Sequence, residues 1–175
     1  MGEEIERKFL VRKDSWRASA DRGRHFIQGY FDGGPGAPTM RVRVICDREA
    51  WLTIKGRPTG FRRSEFEYPI PVAEARAMLK EFCGTRIVEK IRYLVPAGKN
   101  LVWEIDEYCG LNCGLFTAEI ELPAEDTHFV KPRWLGREVT GNPDYTNGAL
   151  SRRPWTTRSE VIKAAAAGKK KKAVF

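Results

Sequence analysis

Long ionic side chains alternate with apolar ones in segment after segment of this chain, and this pattern most constrains how it can fold. Successive side chains of a β-strand point to opposite faces of the sheet, so residues two apart lie on the same face. Each segment is therefore predicted to be a strand with one charged and one apolar face. The charged faces carry Glu4, Glu6 and Lys8, then Arg41 and Arg43, Thr53 and Lys55, Arg63, Glu65 and Glu67, Lys90 and Arg92, Glu104 and Asp106, and Glu119 and Glu121.

These charged faces differ from an ordinary solvated sheet face, because they contain few uncharged polar residues and several same-sign pairs. Like charges side by side cost free energy unless an opposite charge lies between them. Acids and bases are nearly balanced, so a closed sheet with these faces inside would enclose a nearly neutral cavity. Such a cavity could hold divalent cations on an acidic side and a multiply charged anion on a basic side. It could not be a dry core, because that many ions cannot be desolvated without partners and water.

The apolar faces would then point outward and require helices to cover them. Short helices are predicted near residues 14–20 and 72–82. We therefore expect a mainly β (α+β) fold, an eight-stranded antiparallel β-barrel, or tunnel, with helices packed on the outside. Its strands are predicted near residues 3–11, 25–32, 39–46, 50–56, 62–70, 86–95, 100–107 and 116–122.

The charge of the chain is concentrated at one end. Lysine and arginine total 31 against 23 acids, for a net charge of +8. Lys163 and Lys169 to Lys172 supply much of this excess, which leaves residues 1–162 only weakly basic. We interpret residues 1–162 as one domain and residues 163–175 as a low-complexity basic tail that is frayed or disordered. The alternative for the tail is contact with nucleic acid or anionic lipid.

Other features of the composition predict a cytoplasmic protein without a membrane partner. The chain lacks a run of roughly 18 consecutive apolar residues, and its N-terminus begins with acids rather than with a basic region and an apolar run. The cysteines lack the spacing of a complete zinc site, so we expect reduced thiols. His25 and His128 are expected at structural or surface positions.

The order of the charged motifs resembles that of a known family. Glu4-Ile5-Glu6-Arg7-Lys8 is similar to the N-terminal ExExK signature of the CYTH superfamily, the triphosphate tunnel metalloenzymes. The resemblance extends over about residues 3–151 and keeps the family's motif order. The further motifs are Gln28-Gly29-Tyr30, Arg41-Val42-Arg43, Thr53-Ile54-Lys55, the R-x-E-x-E segment 63–67, Lys90-Ile91-Arg92-Tyr93, Glu104-Ile105-Asp106, Glu119-Ile120-Glu121, and a closing segment with residues 134–140 and 145–147.

This resemblance implies phosphoanhydride hydrolysis in a charged tunnel, with Mg²⁺ or Mn²⁺ as one or two bound ions. Cleavage of a phosphoanhydride requires neutralised phosphate charge and a positioned water. Two i,i+2 glutamate pairs, Glu4 with Glu6 and Glu119 with Glu121, are predicted to bind the metal. Glu65, Glu67, Glu104 and Asp106 are predicted to support the bases. The residues predicted to bind the phosphates are Lys8, Arg41, Arg43, Lys55, Arg63, Lys90 and Arg92.

The resemblance offers Tyr30 or Lys90 as the proton acceptor, both with a lowered pKa beside other cations. A metal-activated water is the alternative that would need neither. The favoured substrate is inorganic triphosphate. An adenylate cyclase is the second interpretation, followed by hydrolysis of thiamine triphosphate or a nucleoside triphosphate, and then by a non-catalytic polyphosphate or nucleotide sensor. RNA binding through the tail is a further alternative, and formation of a homodimer is left open.

Overall fold

The computed structural model describes residues 5–34, 36–56, 64–98 and 100–158. Glu4, Arg63 and the basic tail, each named by a sequence prediction, lie outside the described residues. The described residues form one antiparallel sheet with two α-helices, α1 (Val72–Phe82) and α2 (Asn147–Arg152). Its strands are β1 (Ile5–Val11), β2 (Arg24–Tyr30), β3 (Thr39–Ile45), β4 (Glu49–Lys55), β5 (Glu65–Pro69), β6 (Ile87–Gly98), β7 (Leu101–Tyr108), β8 (Phe116–Leu122) and β9 (Leu135–Glu138).

The strands follow the order β5-β4-β3-β2-β6-β7-β8-β1-β9 across the sheet. The predicted mainly β fold with an antiparallel sheet and helices is confirmed. The structure differs from the predicted eight-stranded ring in having the ninth strand, and in leaving β5 and β9 as edges that do not pair with each other within the described residues. A physical reason lies in β5, since inward-pointing Glu65 and Glu67 and a terminal Pro69 are features that discourage further strand pairing.

The outward faces of the strands carry the apolar cores. One core joins β1, β7 and β8 through Phe9, Trp103 and Ile120, and it is closed by Trp16 and Trp134 from the segments beside them. Trp16 belongs to a 3-10 helix, Asp14–Ser19, where the sequence predicts a short helix. The alternation of apolar and ionic residues thus buries the outer faces of the strands in these cores, with the exception of β5, whose Phe66 and Tyr68 are exposed.

Helix α1 covers the outer face of β2, β3 and β4 and spans the predicted residues 72–82. Ala75, Leu79 and Cys83 pack there against Val42, Val44 and Ala50. Gly29 of β2 lies directly beneath the helix, and a Cβ placed on it would be 2.5 Å from the Cys83 Sγ atom and 2.7 Å from the Leu79 Cδ2 atom. A glycine at this position therefore permits the close approach of helix and strand.

Helix α2 closes one end of the space enclosed by the inner faces. It begins after Thr146, whose hydroxyl accepts a hydrogen bond from the Ala149 backbone N–H at 3.2 Å. Leu150 of α2 is fully buried in a core with Tyr30, Val88 and Tyr108. The other 3-10 helices are Gly110–Asn112, Pro143–Tyr145 and Trp155–Thr157. In the described ranges, no helix combines the length and apolar character needed to cross a membrane.

Candidate active site

The inner faces of β1 to β8 and one side of α2 line a single cavity of about 1060 Å³. Asp106 is fully buried beneath its surface, while Glu4 and Arg63 lie outside the described residues. The structure therefore brings together almost all of the predicted site residues that it describes. Those lining the cavity are Glu6, Lys8, Tyr30, Arg41, Arg43, Lys55, Glu65, Glu67, Lys90, Arg92, Glu104, Glu119 and Glu121.

Strand register determines which of these residues are neighbours. Directly opposed residues of antiparallel strands point to the same face. Glu6 of β1 is opposite Glu121 of β8, and Lys8 is opposite Glu119. Glu119 is in turn opposite Glu104 of β7. Strands β7, β8 and β1 therefore present an acidic wall to the cavity, with Lys8 as a base among the carboxylates.

The acidic wall has the donor chemistry of a site for a hard divalent cation. Carboxylate oxygens are the ligands that Mg²⁺ and Mn²⁺ favour. Glu6 and Glu121 are directly opposed like charges whose repulsion a cation between them would relieve, whereas Glu104 and Glu119 already share contacts with Arg92. In the part of the chain that the structure describes, no three acidic, histidine or cysteine side chains converge as a metal-binding cluster. The residues thus fit a metal by type and position, and binding requires their side chains to converge.

Most bases of the cavity are ion-paired with its acids. The Lys8 Nζ atom is 2.6 Å from a Glu119 oxygen, and Lys55 Nζ is 2.5 Å from a Glu65 oxygen. An Arg41 terminal nitrogen is 3.0 Å from Glu67, whose carboxylate also accepts a hydrogen bond from the Thr53 hydroxyl at 2.7 Å. These pairs explain how so many charges share one space, since each carboxylate holds a base in place.

Arg43 is the exception on the basic wall formed by β3, β4 and β6. Among the described residues, no carboxylate lies within ion-pair distance of its guanidinium, and its Nε atom is buried without a hydrogen-bond partner. Burial, followed by the neighbouring cations Arg41 and Arg92, lowers the pKa of Arg43 to about 10. The side chain therefore remains charged at neutral pH, and its charge faces the cavity without a paired anion among the described residues. This arrangement can bind an anion that enters the cavity.

Two bases of the wall, on β6, are held by a buried carboxylate of β7. Lys90 Nζ is 2.5 Å from Asp106 Oδ2, and Arg92 donates to both oxygens of Asp106 at 2.7 and 2.8 Å. Arg92 also contacts Glu104, and it is 3.2 Å from Glu119. Although burial acts in the opposite direction, Lys90 and Arg92 together lower the pKa of Asp106 well below its usual range. Asp106 thus stays ionised and holds both bases on the same side of the cavity.

The two predicted proton acceptors differ in their electrostatics. Burial raises the pKa of Tyr30 and outweighs the opposing effect of Arg41 and Arg43, so the predicted lowering is wrong for this residue. Its phenol accepts a hydrogen bond from the Gln28 amide at 2.8 Å. Burial, with a smaller contribution from Arg92, lowers the pKa of Lys90 to about 8, as expected. Lys90 is therefore the candidate with a neutral form accessible near physiological pH, whereas Tyr30 remains a protonated phenol.

Several cavity residues were missed by reasoning from the charged motifs. Asn147 and Arg152 of α2 line the cavity, and Asn147 accepts a hydrogen bond from the Tyr108 hydroxyl at 3.0 Å. Phe26 is not among the described residues that line the cavity, but it lies on the inner face of β2, two residues before Gln28. The period-2 spacing from Gln28 and Tyr30 identifies this inner position, but an apolar residue there looks like ordinary packing. No spacing in the sequence indicates that α2 reaches the cavity.

Comparison with known proteins agrees with the architecture and with the motifs. The family model of the CYTH domain matches residues 2–147 of this chain. An inorganic triphosphatase of Acetivibrio thermocellus is 45% identical over 162 residues, which cover 91% of this chain and all of that protein. An inorganic triphosphatase of Nitrosomonas europaea is 33% identical over 153 residues, covering 85% of this chain and 96% of the relative.

A solved structure gives the same result in three dimensions. The crystal structure of an inorganic triphosphatase superimposes with a TM-score of 0.67 and 32% identity, and the match covers 86% of this chain and 95% of that one. The shared sequence therefore extends through the strands that carry the cavity. On the residues matched and the share of both chains covered, this protein belongs to the CYTH domain family.

Proposed function

We propose that this chain hydrolyses inorganic triphosphate to pyrophosphate and phosphate inside its charged cavity, with the help of a divalent metal. Arg43 carries this proposal, because a partly buried guanidinium to which the described residues offer no carboxylate partner is stabilised by an anionic ligand. The relatives named inorganic triphosphatase support triphosphate as that anion.

The basic wall would bind the phosphates. Arg43 and Arg41 lie on alternate positions of β3, where planar guanidinium groups suit bidentate contacts with phosphate oxygens. Lys55 of the adjacent strand β4 and Lys8 of the acidic wall would add point charges, while Lys90 and Arg92 of β6 would contribute further charges held by Asp106. Arg63 keeps its predicted phosphate role. Glu65, Glu67 and Glu104 would keep their contacts with the bases and so hold them in place before substrate enters.

The acidic wall would hold the metal, proposed as Mg²⁺ or Mn²⁺ in one or two sites. Family triphosphatases are metal-dependent in general, and Glu6, Glu119 and Glu121, with Glu4, would supply carboxylate oxygens. When bound, the ion supplies Lewis-acid neutralisation of phosphate charge. Glu119 already contacts Lys8, so metal binding would require its carboxylate to be shared between the two.

In its neutral form, Lys90 would accept the proton of the attacking water. Tyr30, a protonated phenol held by Gln28, would instead donate a hydrogen bond to a substrate oxygen. We further propose the cytoplasm as the compartment, which the free thiols of the cysteines support. The single domain over residues 1–162, the basic tail and the homodimer remain predictions.

The proposal is tested by removing the charge of Arg43. Arg43→Gln should raise KM for triphosphate by about tenfold or more, because a charge-assisted hydrogen bond to phosphate is lost. Arg76→Gln is the matched control, since Arg76 lies on α1, outside the cavity, paired with Asp47 at 2.7 Å. Steady-state phosphate release with Mg²⁺ or Mn²⁺ gives both constants. Unchanged KM in a folded Arg43→Gln protein would remove the main support for this function.

A further inference from the structure

One aromatic ring lies among the cations of the cavity wall. Phe26 of β2 is 6% exposed, and its ring centroid is 5.7 Å from the guanidinium carbons of Arg43 and Arg92 and 5.8 Å from Lys90 Nζ. Arg24, on the same strand, is 5.9 Å away. Distances within about 6 Å are those of cation–π interactions. The ring of Phe26 is within this distance of cations from three strands, β2, β3 and β6.

The strand register places these groups together. Phe26 is directly opposite Lys90 of β6 and Ile45 of β3, so its side chain points to the inner face with theirs. Arg92 and Arg43 are two residues further along the neighbouring strands, at diagonal positions that long side chains can reach. The ring thus lies beneath the basic wall because of backbone pairing.

Phe26 lies apart from the main apolar cores. Within residues 5–34, 36–56, 64–98 and 100–158, three clusters hold the other buried apolar side chains, while Phe26 and the opposed Ile45 belong to none of them. Its described surroundings on the inner face include three cations that repel one another. Arg92 lowers the pKa of both Lys90 and Arg43, although burial is the larger cause for each.

We propose that Phe26 is a positioning residue whose ring serves as a common platform for Arg43, Lys90 and Arg92 and holds them ready to bind the phosphates. The inference rests on the proposed triphosphatase function. Arg43 depends most on the ring, because Lys90 and Arg92 also contact Asp106, whereas Arg43 lacks an ion-pair partner among the described side chains. A guanidinium held in place loses less conformational freedom when the anion binds, which favours affinity.

The decisive experiment changes the charge distribution of the ring without changing its shape. Phenylalanines carrying one, two or three ring fluorines at position 26 weaken the cation–π attraction in steps. The same series at Phe9 is the matched control, since Phe9 is a buried phenylalanine on the outer face of β1. In the described part of the chain, the one cation near its ring is the exposed Lys131. We measure KM and kcat for inorganic triphosphate, its equilibrium affinity in chelator, and thermal stability.

The expected result is a graded rise of KM and Kd with each fluorine at position 26, reaching roughly tenfold for the trifluoro ring, with kcat changing much less. The Phe9 series should leave both constants unchanged. Phe26→Leu should show the full loss, because leucine has no aromatic face for the cations. These readouts separate positioning from stability, because KM and Kd are measured on folded protein well below the melting temperature of each variant.

Flat KM and Kd values across the fluorine series at position 26 would overturn the platform role, whatever Phe26→Leu does. Equilibrium affinity does not depend on turnover, so failure of the platform role can be distinguished from failure of the proposed triphosphatase function. Binding of triphosphate without hydrolysis by the unmodified protein would overturn the triphosphatase function alone. Absence of triphosphate binding by that protein would overturn both.

Discussion

At the scale of single residues, the site depends on how each charge is balanced. Lys90 is 2% exposed and faces Asp106, Arg92, Glu119 and the ring of Tyr108. Burial disfavours its charged form, and Arg92 does so further, while Asp106 and Glu119 favour it. The net result is a pKa of about 8, against 10.5 for an unperturbed lysine. A lysine with this pKa can exchange a proton near neutral pH.

The pH dependence of hydrolysis follows from this pKa. If neutral Lys90 accepts a proton, kcat/KM should rise about tenfold per pH unit below pH 8 and level off above it, because the neutral fraction increases until the pKa is passed. Lys90→Arg should lose activity, and it should also lose this rising limb of the pH profile of kcat/KM, since arginine stays protonated. The control, Lys80→Arg on the exposed side of α1, should keep the limb. A limb that persists in Lys90→Arg would assign the proton to a metal-activated water.

The sequence predicts which residues line the cavity wall, but it does not predict which of them form ion pairs with each other. Alternation along β3 predicts that Arg41 and Arg43 point inward together. It does not predict that Arg41 meets Glu67 while Arg43 meets none of the described carboxylates, because this depends on register across three strands and on side-chain reach. The pKa of Tyr30 was mispredicted for a related reason, since its burial under α2 outweighs the cations beside it.

At the scale of elements, the position of β2 is set by α1 on one side and by the cavity on the other. Gly29 faces the helix, while its neighbours Gln28 and Tyr30 face inward. The helix can approach this closely because residue 29 has no side chain. The packing of an outer helix is therefore coupled to the placement of two cavity residues.

Gly29→Ala should destabilise the fold by about 1–3 kcal/mol, because the added methyl would overlap Cys83 and Leu79 in a packed core. It should also weaken triphosphate affinity by displacing Tyr30. Urea unfolding gives the free energy of unfolding, and Gly34→Ala serves as the control, since a Cβ at the exposed Gly34 meets nothing within 4 Å. Equal stability of the two variants would show that α1 adjusts without cost.

Long periodic elements were predictable from sequence, and short ones were not. The predicted strands agree with β1 to β8 to within a few residues, and α1 has the predicted span. Strand β9 was missed because it has four residues, Leu135–Glu138, with a glycine among them, and forms only by pairing with β1. Such a segment has too little alternation to be recognised without its partner strand.

At the scale of the whole molecule, one sheet encloses a cavity whose acidic and basic walls lie on different strands. Nearly balanced charges make this arrangement possible, since ion pairs such as Lys55–Glu65 and Lys8–Glu119 prevent a large net charge in the cavity before substrate binds. The sequence predicted this segregation from the strand faces. It did not predict the open sheet edges, or α2 closing one end, because those depend on strand curvature and on contacts such as Tyr108 with Asn147.

The central claim is that this cavity performs metal-dependent cleavage of inorganic triphosphate, and phosphorus NMR of the products tests it most directly. With Mg²⁺ or Mn²⁺, we expect triphosphate to disappear as pyrophosphate and phosphate form in equal amounts, and chelator to stop the reaction. Folded protein that binds triphosphate without releasing either product in the presence of these metals would contradict the account and favour a sensor. Cyclic nucleotide formed from ATP, with triphosphate left intact, would contradict it in favour of a cyclase.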